Sequence, residues 1–270
     1  MDHPPYLHLV QALEKTARAL PAARLRRLGT LHKKPFYSVV LMSNPSPGRL
    51  SVCLSGGIHG DEPAGAWAVA GFLEKMISDA ALLKRFRFLL LPCLNPTGYE
   101  KGTRFNHEGL DLNRMFRRRS APKEVRWARQ AVSEMHRDRP PDLDVEFHED
   151  VDTHGFYLYE LAQPGEPLWG IRVVQAVSRT GPINTDEEIE GMKADHGVIH
   201  PHRQETPLAL RMKRRRDWPM AFYQYRKGAR HTLTLETPVT VPLKQRVEMH
   251  LAALGELLNL TWAAHTLPKT

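Results

Sequence analysis

A chain of 270 residues, 41% hydrophobic and 25% charged, has enough apolar content to bury one sizeable core, and its 21 prolines and 18 glycines form no repeat, which excludes collagen-like, low-complexity and linker proteins. Lys and Arg outnumber Asp and Glu by 38 to 30, a formal charge of +8 that favours an acidic partner or substrate. No stretch approaches the roughly 20 apolar residues of a membrane span, and the N-terminus lacks the apolar run and cleavage site of a secretory signal, so no membrane association and a cytoplasmic location are expected. Cys53 and Cys93 are the only cysteines. Two thiols build neither a disulfide framework nor a four-thiolate zinc site, and both sit in strand-like runs as packing residues. The basic runs at 24–27, 114–119 and 211–216 carry neither interleaved aromatics nor a DNA-reading motif, so they read as solvated surface and nucleic acid is not expected as a partner.

In chain order, Leu7, Val10, Leu13, Ala17 and Leu20 recur at helical spacing and predict an amphipathic helix over 6–20. Apolar runs at 36–42, 50–55 and 86–94 have the β-branched and aromatic content of central strands. Between the second and third, residues 62–75 predict a helix with Pro63 in its first turn. A polar loop follows over 95–116, then a helix over 123–136 and a short strand over 143–147 ending at His148. From 150 to about 220 the pattern weakens into binding loops around one helix near 168–178. A strand over 231–235 ending at Glu236 and a helix over 243–264 close the chain. Alternating strands and helices predict an α/β protein, a three-layer α/β/α sandwich around a mixed, largely parallel twisted sheet. It is expected to be one domain over 1–270, with an N-terminal helical extension over about 1–35.

The informative residues stand where predicted strands run out, the edge at which open α/β sheets collect ligands. The strand at 50–55 runs into Gly-Gly-Ile-His-Gly-Asp-Glu-Pro, which places His59 and Glu62 three apart in a glycine-rich turn. An imidazole and a carboxylate at that spacing converge on one ion where the backbone turns tightly. His148, ending Asp-Val-Glu-Phe-His, is a third candidate. Two histidines and a carboxylate form the ligand set of a hydrolytic zinc centre, whereas His148 alone reads as a hydrogen-bonded strand-end histidine. Glu149 and His154 are alternative ligands nearby, and His196, His200 and His202 form a second histidine group whose proline-broken setting reads as a loop.

The connecting segment contains Asn95-Pro96-Thr97-Gly98, Arg104, Asp111 and Asn113-Arg114. With His59-x-x-Glu62 before it, and His148 and Leu-Thr-Leu-Glu236 after it, the chain resembles the M14 zinc metallocarboxypeptidase family over 59–236. The resemblance implies a zinc carboxypeptidase-like fold, one zinc ion per chain on His59, Glu62 and His148, and Glu236 as general base and acid. It implies Arg104 as oxyanion stabiliser, and Asn113 and Arg114 as the pair that holds the substrate's terminal carboxylate. These roles suit the chemistry. A carboxylate beside an activated water can take up and return a proton, and a guanidinium offers a fork to a carboxylate. Asp61 could orient His59 or cap the following helix.

The family's peptidases often carry a tyrosine between the third ligand and the catalytic glutamate; here Tyr223 and Tyr225 qualify by order alone. The 34 residues after Glu236 read as one helix and a tail, so the β domain usual in the succinylglutamate desuccinylase/aspartoacylase branch is not expected. That favours cleavage of a C-terminal amide of a peptide over deacylation of an N-acyl amino acid, the substrate in either case carrying a free carboxylate. Arg211, Lys213 and Arg214 to Arg216 either line a pocket for an acidic side chain or form a solvated face. The remaining alternative is a non-catalytic basic binding protein, recognised by salt-sensitive nucleic-acid binding without zinc.

Overall fold

The computed structural model describes residues 3–41, 48–79, 81–137, 139–201 and 217–266. Strands β1 (Ala23–Leu31), β2 (Lys34–Leu41), β3 (Leu50–Gly56), β4 (Phe86–Leu91), β5 (Leu143–Asp150), β6 (Tyr157–Ala162), β7 (Glu188–Ile189), β8 (Met192–Asp195), β9 (Val198–Ile199) and β10 (His231–Pro238) form one sheet in the order β1-β2-β4-β3-β5-β10-β6-β9-β8-β7. The central strands β4, β3, β5 and β10 are parallel. On either side β2 and β6 pair antiparallel with them. Every residue of β3 is buried, as a strand covered on both faces requires.

Helices α1 (Tyr6–Ala19), α2 (Pro63–Ser78), α6 (Gly170–Val177) and α8 (Leu243–Thr266) share one core with Val52, Leu54, Val145, Phe147, Leu233 and Leu235 on one face of the sheet. The opposite face, with Cys53, Leu89 and Leu91, packs against α5 (Lys123–Met135) and the start of α7 (Met220–Arg226). The short helices α3 (Leu82–Arg85) and α4 (Pro96–Lys101) complete the connections. This is the expected sandwich, with helices on both sides of a mixed sheet. Both cysteines are buried and free. No helix among the described residues is long and apolar enough to cross a membrane.

Three stretches differ from the sequence-based expectation. The N-terminal extension is not wholly helical, because β1 pairs with β2 along its length. As the outermost strand it exposes Arg24, Arg26 and Arg27, and such charges suit a sheet edge. The polar loop at 95–116 contains α4 and a 3₁₀ turn at Leu112–Arg114. The weakly patterned region after 150 contributes β6 to the interior of the sheet. There Glu160 is fully buried because its two oxygens accept the Trp169 and Gly170 amides at 2.6 and 3.1 Å at the start of α6. A charged residue with that task looks, in sequence, like surface. His202 and the run at 211–216 lie outside the described residues.

Candidate metal centre

The site is built where β3, β5 and β10 end. After Gly56 the chain crosses to the turn that follows β4, with Asn95 donating its amide to the Gly57 carbonyl at 2.8 Å. At Gly60 a β-carbon would lie 2.0 Å from the carbonyl carbon of Gly98, and at Gly65 one would lie 2.3 Å from the Phe147 carbonyl oxygen. Only glycine allows these approaches, which press the His59 turn onto the Asn95 turn and the first turn of α2 onto β5. Glu149 reinforces the second contact. Its Oε1 accepts the Ala64 amide at 2.6 Å, and its Oε2 accepts Arg246 Nη1 from α8.

This packing brings the three expected residues together. His59 Nδ1 lies 2.6 Å from Glu62 Oε1 and His148 Nδ1 lies 2.8 Å from Glu62 Oε2, all three side chains being buried. One ligand atom from each falls within 4.8 Å of the others. Two imidazoles that both turn Nδ1 toward one buried carboxylate are a donor set suited to a divalent ion. The outer nitrogens have carboxylate neighbours too. His59 Nε2 lies 3.3 Å from Asp111 Oδ1, and His148 Nε2 lies 3.7 Å from Glu146 Oε2. Such contacts fix ring orientation and raise ligand basicity.

The same geometry sets the charge states. Burial opposes ionisation of Glu62, but His59 and His148 more than offset it and hold the carboxyl well below the usual carboxylate range. Burial likewise opposes ionisation of Asp111, and its hydrogen bond and attraction to His59, with Arg114 and Arg104, pull it below that range. Burial works against a charged His148, yet Glu62, Glu146 and Glu236 raise it well above its ordinary value. Glu236 is raised, chiefly by burial and then by Glu62 and Asp150, against the pull of His148 and Arg104.

Stability should therefore depend on pH in a defined way when no metal is bound. The contributions of Glu62 and Asp111 are present above about pH 4 and lost as pH falls through their depressed values. Those of Glu236 and His148 are full below about pH 4.5 and 6.5, respectively, and are lost as pH rises through their raised folded values. The stability of the metal-free chain to calorimetric melting is expected to fall as pH rises through these raised values, by about 1.4 kcal/mol per pH unit for each such proton. A metal ion needs deprotonated imidazoles, so adding one should flatten or reverse the slope. A metal-free melting temperature that stays level from pH 6.5 to 9 would contradict these charge assignments.

Asn95 caps α4 by accepting the Gly98 amide at 2.9 Å, and its Nδ2 donates to the Arg104 carbonyl at 3.3 Å, which fixes the backbone of that arginine. Arg104 directs Nε and Nη2 to Asp111 Oδ2, both at 3.2 Å, and its Nη1 lies 3.7 Å from Glu62 Oε1. Asp111 thus braces His59 and Arg104 together while accepting the Asn113 amide. The brace gives a prediction: Asp111→Asn should weaken metal binding by about 10–100-fold, measured by competition with a chromogenic chelator. Unchanged affinity would show that His59 needs no such brace.

Asn113 accepts the Met220 amide at 2.9 Å through Oδ1, and its Nδ2 lies 3.5 Å from His148 Nε2. It is therefore placed between His148 and the start of α7. Arg114 donates to the Asn113 carbonyl at 2.9 Å, and Arg117 to Arg119 are exposed. Glu236 is paired in register with His148 on β5 and with Tyr157 on β6.

Several expectations change. Asp61 is exposed and makes no side-chain cap on α2, and the carboxylate near the outer nitrogen of His59 is that of Asp111. Glu149 is committed to Ala64 and Arg246, and His154 stands on the surface 3.8 Å from Asp186, so neither joins the cluster. Exposed His196 pairs with Asp195, and His200 Nδ1 lies 3.7 Å from Glu160 Oε2, so these two are apart from the site. Tyr223 packs against Phe116. The tyrosines beside Glu236 are Tyr157 and Tyr159, their hydroxyls pushed upward first by burial and then by the Glu236 charge, with Tyr157 donating to Asp150 at 2.9 Å. No motif marks them, since they reach Glu236 only through the pairing of β6 with β10. Glu146 was readable as the residue two before His148 on the same face of its strand.

Sandwich and buried His-Glu-His group together define a metallocarboxypeptidase-like protein. The sequence profile of the succinylglutamate desuccinylase/aspartoacylase catalytic domain matches residues 49–184, and the chain belongs to this family, within the M14-like superfamily. A candidate metallopeptidase from Shewanella baltica shares the fold at a TM-score of 0.77 and 26% identity, over 93% of this chain and 91% of that one. Cytosolic carboxypeptidase 2 of Homo sapiens is 30% identical over 48% of the chain, and carboxypeptidase 2 of Trichophyton tonsurans 26% identical over 63%. The chain spans only 16% and 34% of the lengths of those two relatives.

Proposed function

We propose that the chain is a zinc-dependent hydrolase that cleaves an amide bond next to a free carboxylate, with the C-terminal bond of a peptide as its target. The observation that carries this reading is the buried convergence of His59, Glu62 and His148, with Glu236 beside His148 on the adjoining strand. Two imidazoles and one carboxylate are the protein ligands of many catalytic zinc sites. An ion held there supplies Lewis acidity toward a water molecule and a carbonyl oxygen.

The other roles fall to the chain's own groups. Glu236 accepts a proton from the attacking water and returns it to the leaving nitrogen, a task suited to a carboxyl that burial pushes above the usual carboxylate range. Arg104, held by Asp111 and by the Asn95 contact to its backbone, presents Nη1 on the side of Glu62, where it can stabilise charge on the carbonyl oxygen. Arg114, with Asn113, binds the substrate carboxylate.

A second reading, deacylation of an N-acyl amino acid, is favoured by the match to the desuccinylase/aspartoacylase catalytic domain. The test is zinc content of the purified chain, together with hydrolysis of a panel of C-terminal peptides and N-acyl amino acids. One zinc per chain with turnover is the expected result, and the preferred member of the panel decides between the readings. Absence of metal from zinc-replete protein would remove the ligand assignment, and salt-sensitive nucleic-acid binding would then support a binding protein.

A further inference from the structure

The last helix carries two polar side chains where its periodicity calls for apolar ones. On α8, Arg246 and His250 stand four residues apart and so share one face, in line with Met249, Ala253, Leu254 and Leu257, and all six are buried. That face lies behind the metal centre. Arg246 donates Nη1 to Glu149 Oε2, and the Glu149 side chain is fully enclosed. His250 packs against Phe147 with ring centroids 5.0 Å apart, and its Nε2 lies 3.3 Å from Thr237 Oγ1, which donates to the His148 carbonyl at 3.4 Å. Because that hydroxyl gives its one proton to His148, His250 Nε2 is the donor of the other bond. A single turn of α8 thus reaches Phe147, His148 and Glu149 on β5 and Thr237 on β10, the residue after Glu236.

A second observation comes from the start of α2. Glu62 stands at the N-cap position yet makes no cap with its side chain. The Ala64 amide, a donor that an N-cap side chain ordinarily takes, is held instead by Glu149 Oε1 at 2.6 Å, while the Glu149 amide donates to Glu62 Oε2 at 3.2 Å. Glu149 therefore does the capping from another strand, and the two Glu62 oxygens are left to His59 and His148, at 2.6 and 2.8 Å. A buried ion pair adds little to fold stability compared with apolar residues of the same size, so orientation is the better account of why Glu149 and Arg246 meet here.

We propose that Glu149 and Arg246 are positioning residues of the metal centre: Glu149 caps α2 in place of Glu62, which keeps the Glu62 carboxylate turned toward the two imidazoles, and Arg246 holds Glu149 in that pose. His250, through Thr237, fastens the His148 backbone to the same helix face. This rests on the reading of His59, Glu62 and His148 as metal ligands. It makes α8, which contributes no ligand, a determinant of how tightly the ion is held.

The test measures zinc affinity of the full chain by competition with a chelating dye, and the visible spectrum of the cobalt-substituted protein. Glu149→Ala should weaken zinc binding by about 10–100-fold, the usual cost of losing a group that orients a ligand, and should change the cobalt spectrum as Glu62 turns to the Ala64 amide. Glu149→Met combined with Arg246→Met should give a similar loss. That pair strands no buried charge and is expected to fold at least as well as the parent, which keeps the test decisive should Glu149→Ala fail to fold. Leu257→Ala, about 16 Å further along the same helix face, opens a cavity in the core and should leave affinity and spectrum unchanged. Parent affinity in the double variant, or an equal loss in Leu257→Ala, would overturn the positioning role and leave the metal centre standing. Failure of the unmodified chain to bind zinc would remove the ligand assignment itself, and the positioning role with it.

Discussion

Replacing Glu236 with glutamine should lower turnover by about 10²–10⁴-fold, the usual contribution of a general acid-base group, while leaving one metal ion bound per chain. Glutamine has the same shape, so the half-buried position beside His148 and Tyr157 is filled as before. What disappears is the capacity to hold a proton. Glu236 also contributes to the raised pKa of His148, so its neutralisation makes that imidazole easier to deprotonate and leaves metal affinity equal or higher. Metal analysis and steady-state kinetics on the same preparation separate the two effects. The acidic limb of the pH-rate profile should vanish with the carboxyl. Activity within tenfold of the parent chain would remove Glu236 from the reaction and move attention to Tyr157 and Asp150.

Alanine in place of Glu62 should have a second large effect, on metal content and fold together. Loss of a neighbour that only orients a ligand costs about 10–100-fold in metal affinity, so loss of a ligand itself should exceed that and leave the isolated chain essentially metal-free. Glu62 is also the carboxylate on which both imidazoles converge, and Glu149 donates its amide to Glu62 Oε2 at 3.2 Å. Removing it leaves the buried His148, which Glu62 draws toward its charged form, without its principal counter-charge. Breaking such a pair from one side costs about 3–5 kcal/mol. Denaturant unfolding of metal-free Glu62→Ala should show that loss, and Glu62→Gln, which keeps a hydrogen-bonding oxygen, should show less of it. Stoichiometric zinc in Glu62→Ala would mean that the ion is held elsewhere.

Much of the site was legible because metal ligation and tight turns make local demands. His59 and Glu62 are three residues apart, and the glycines at 60, 65 and 98 stand where close backbone approach is unavoidable. His148 and Glu236 occupy the ends of apolar strand runs, which parallel neighbours bury. Hidden from a linear reading were the residues that serve those four. Asp111, rather than the adjacent Asp61, braces His59, because the 3₁₀ turn at Leu112–Arg114 folds back across the site. Tyr157 meets Glu236 only because β6 enters the sheet beside β10, from a stretch whose buried Glu160 disguised it as loop.

By itself the sequence determined the alternation of strands and helices, the order of the motifs and the types of group that could hold an ion, since periodicity, turn chemistry and ligand chemistry are properties of neighbouring residues. Tertiary structure alone decided which carboxylate orients which imidazole, which tyrosine stands by Glu236, and that Glu149 and Arg246 meet behind the metal ligands. Strand order and register bring together residues that are dozens of positions apart, and a carboxylate reads as surface until that register shows it enclosed.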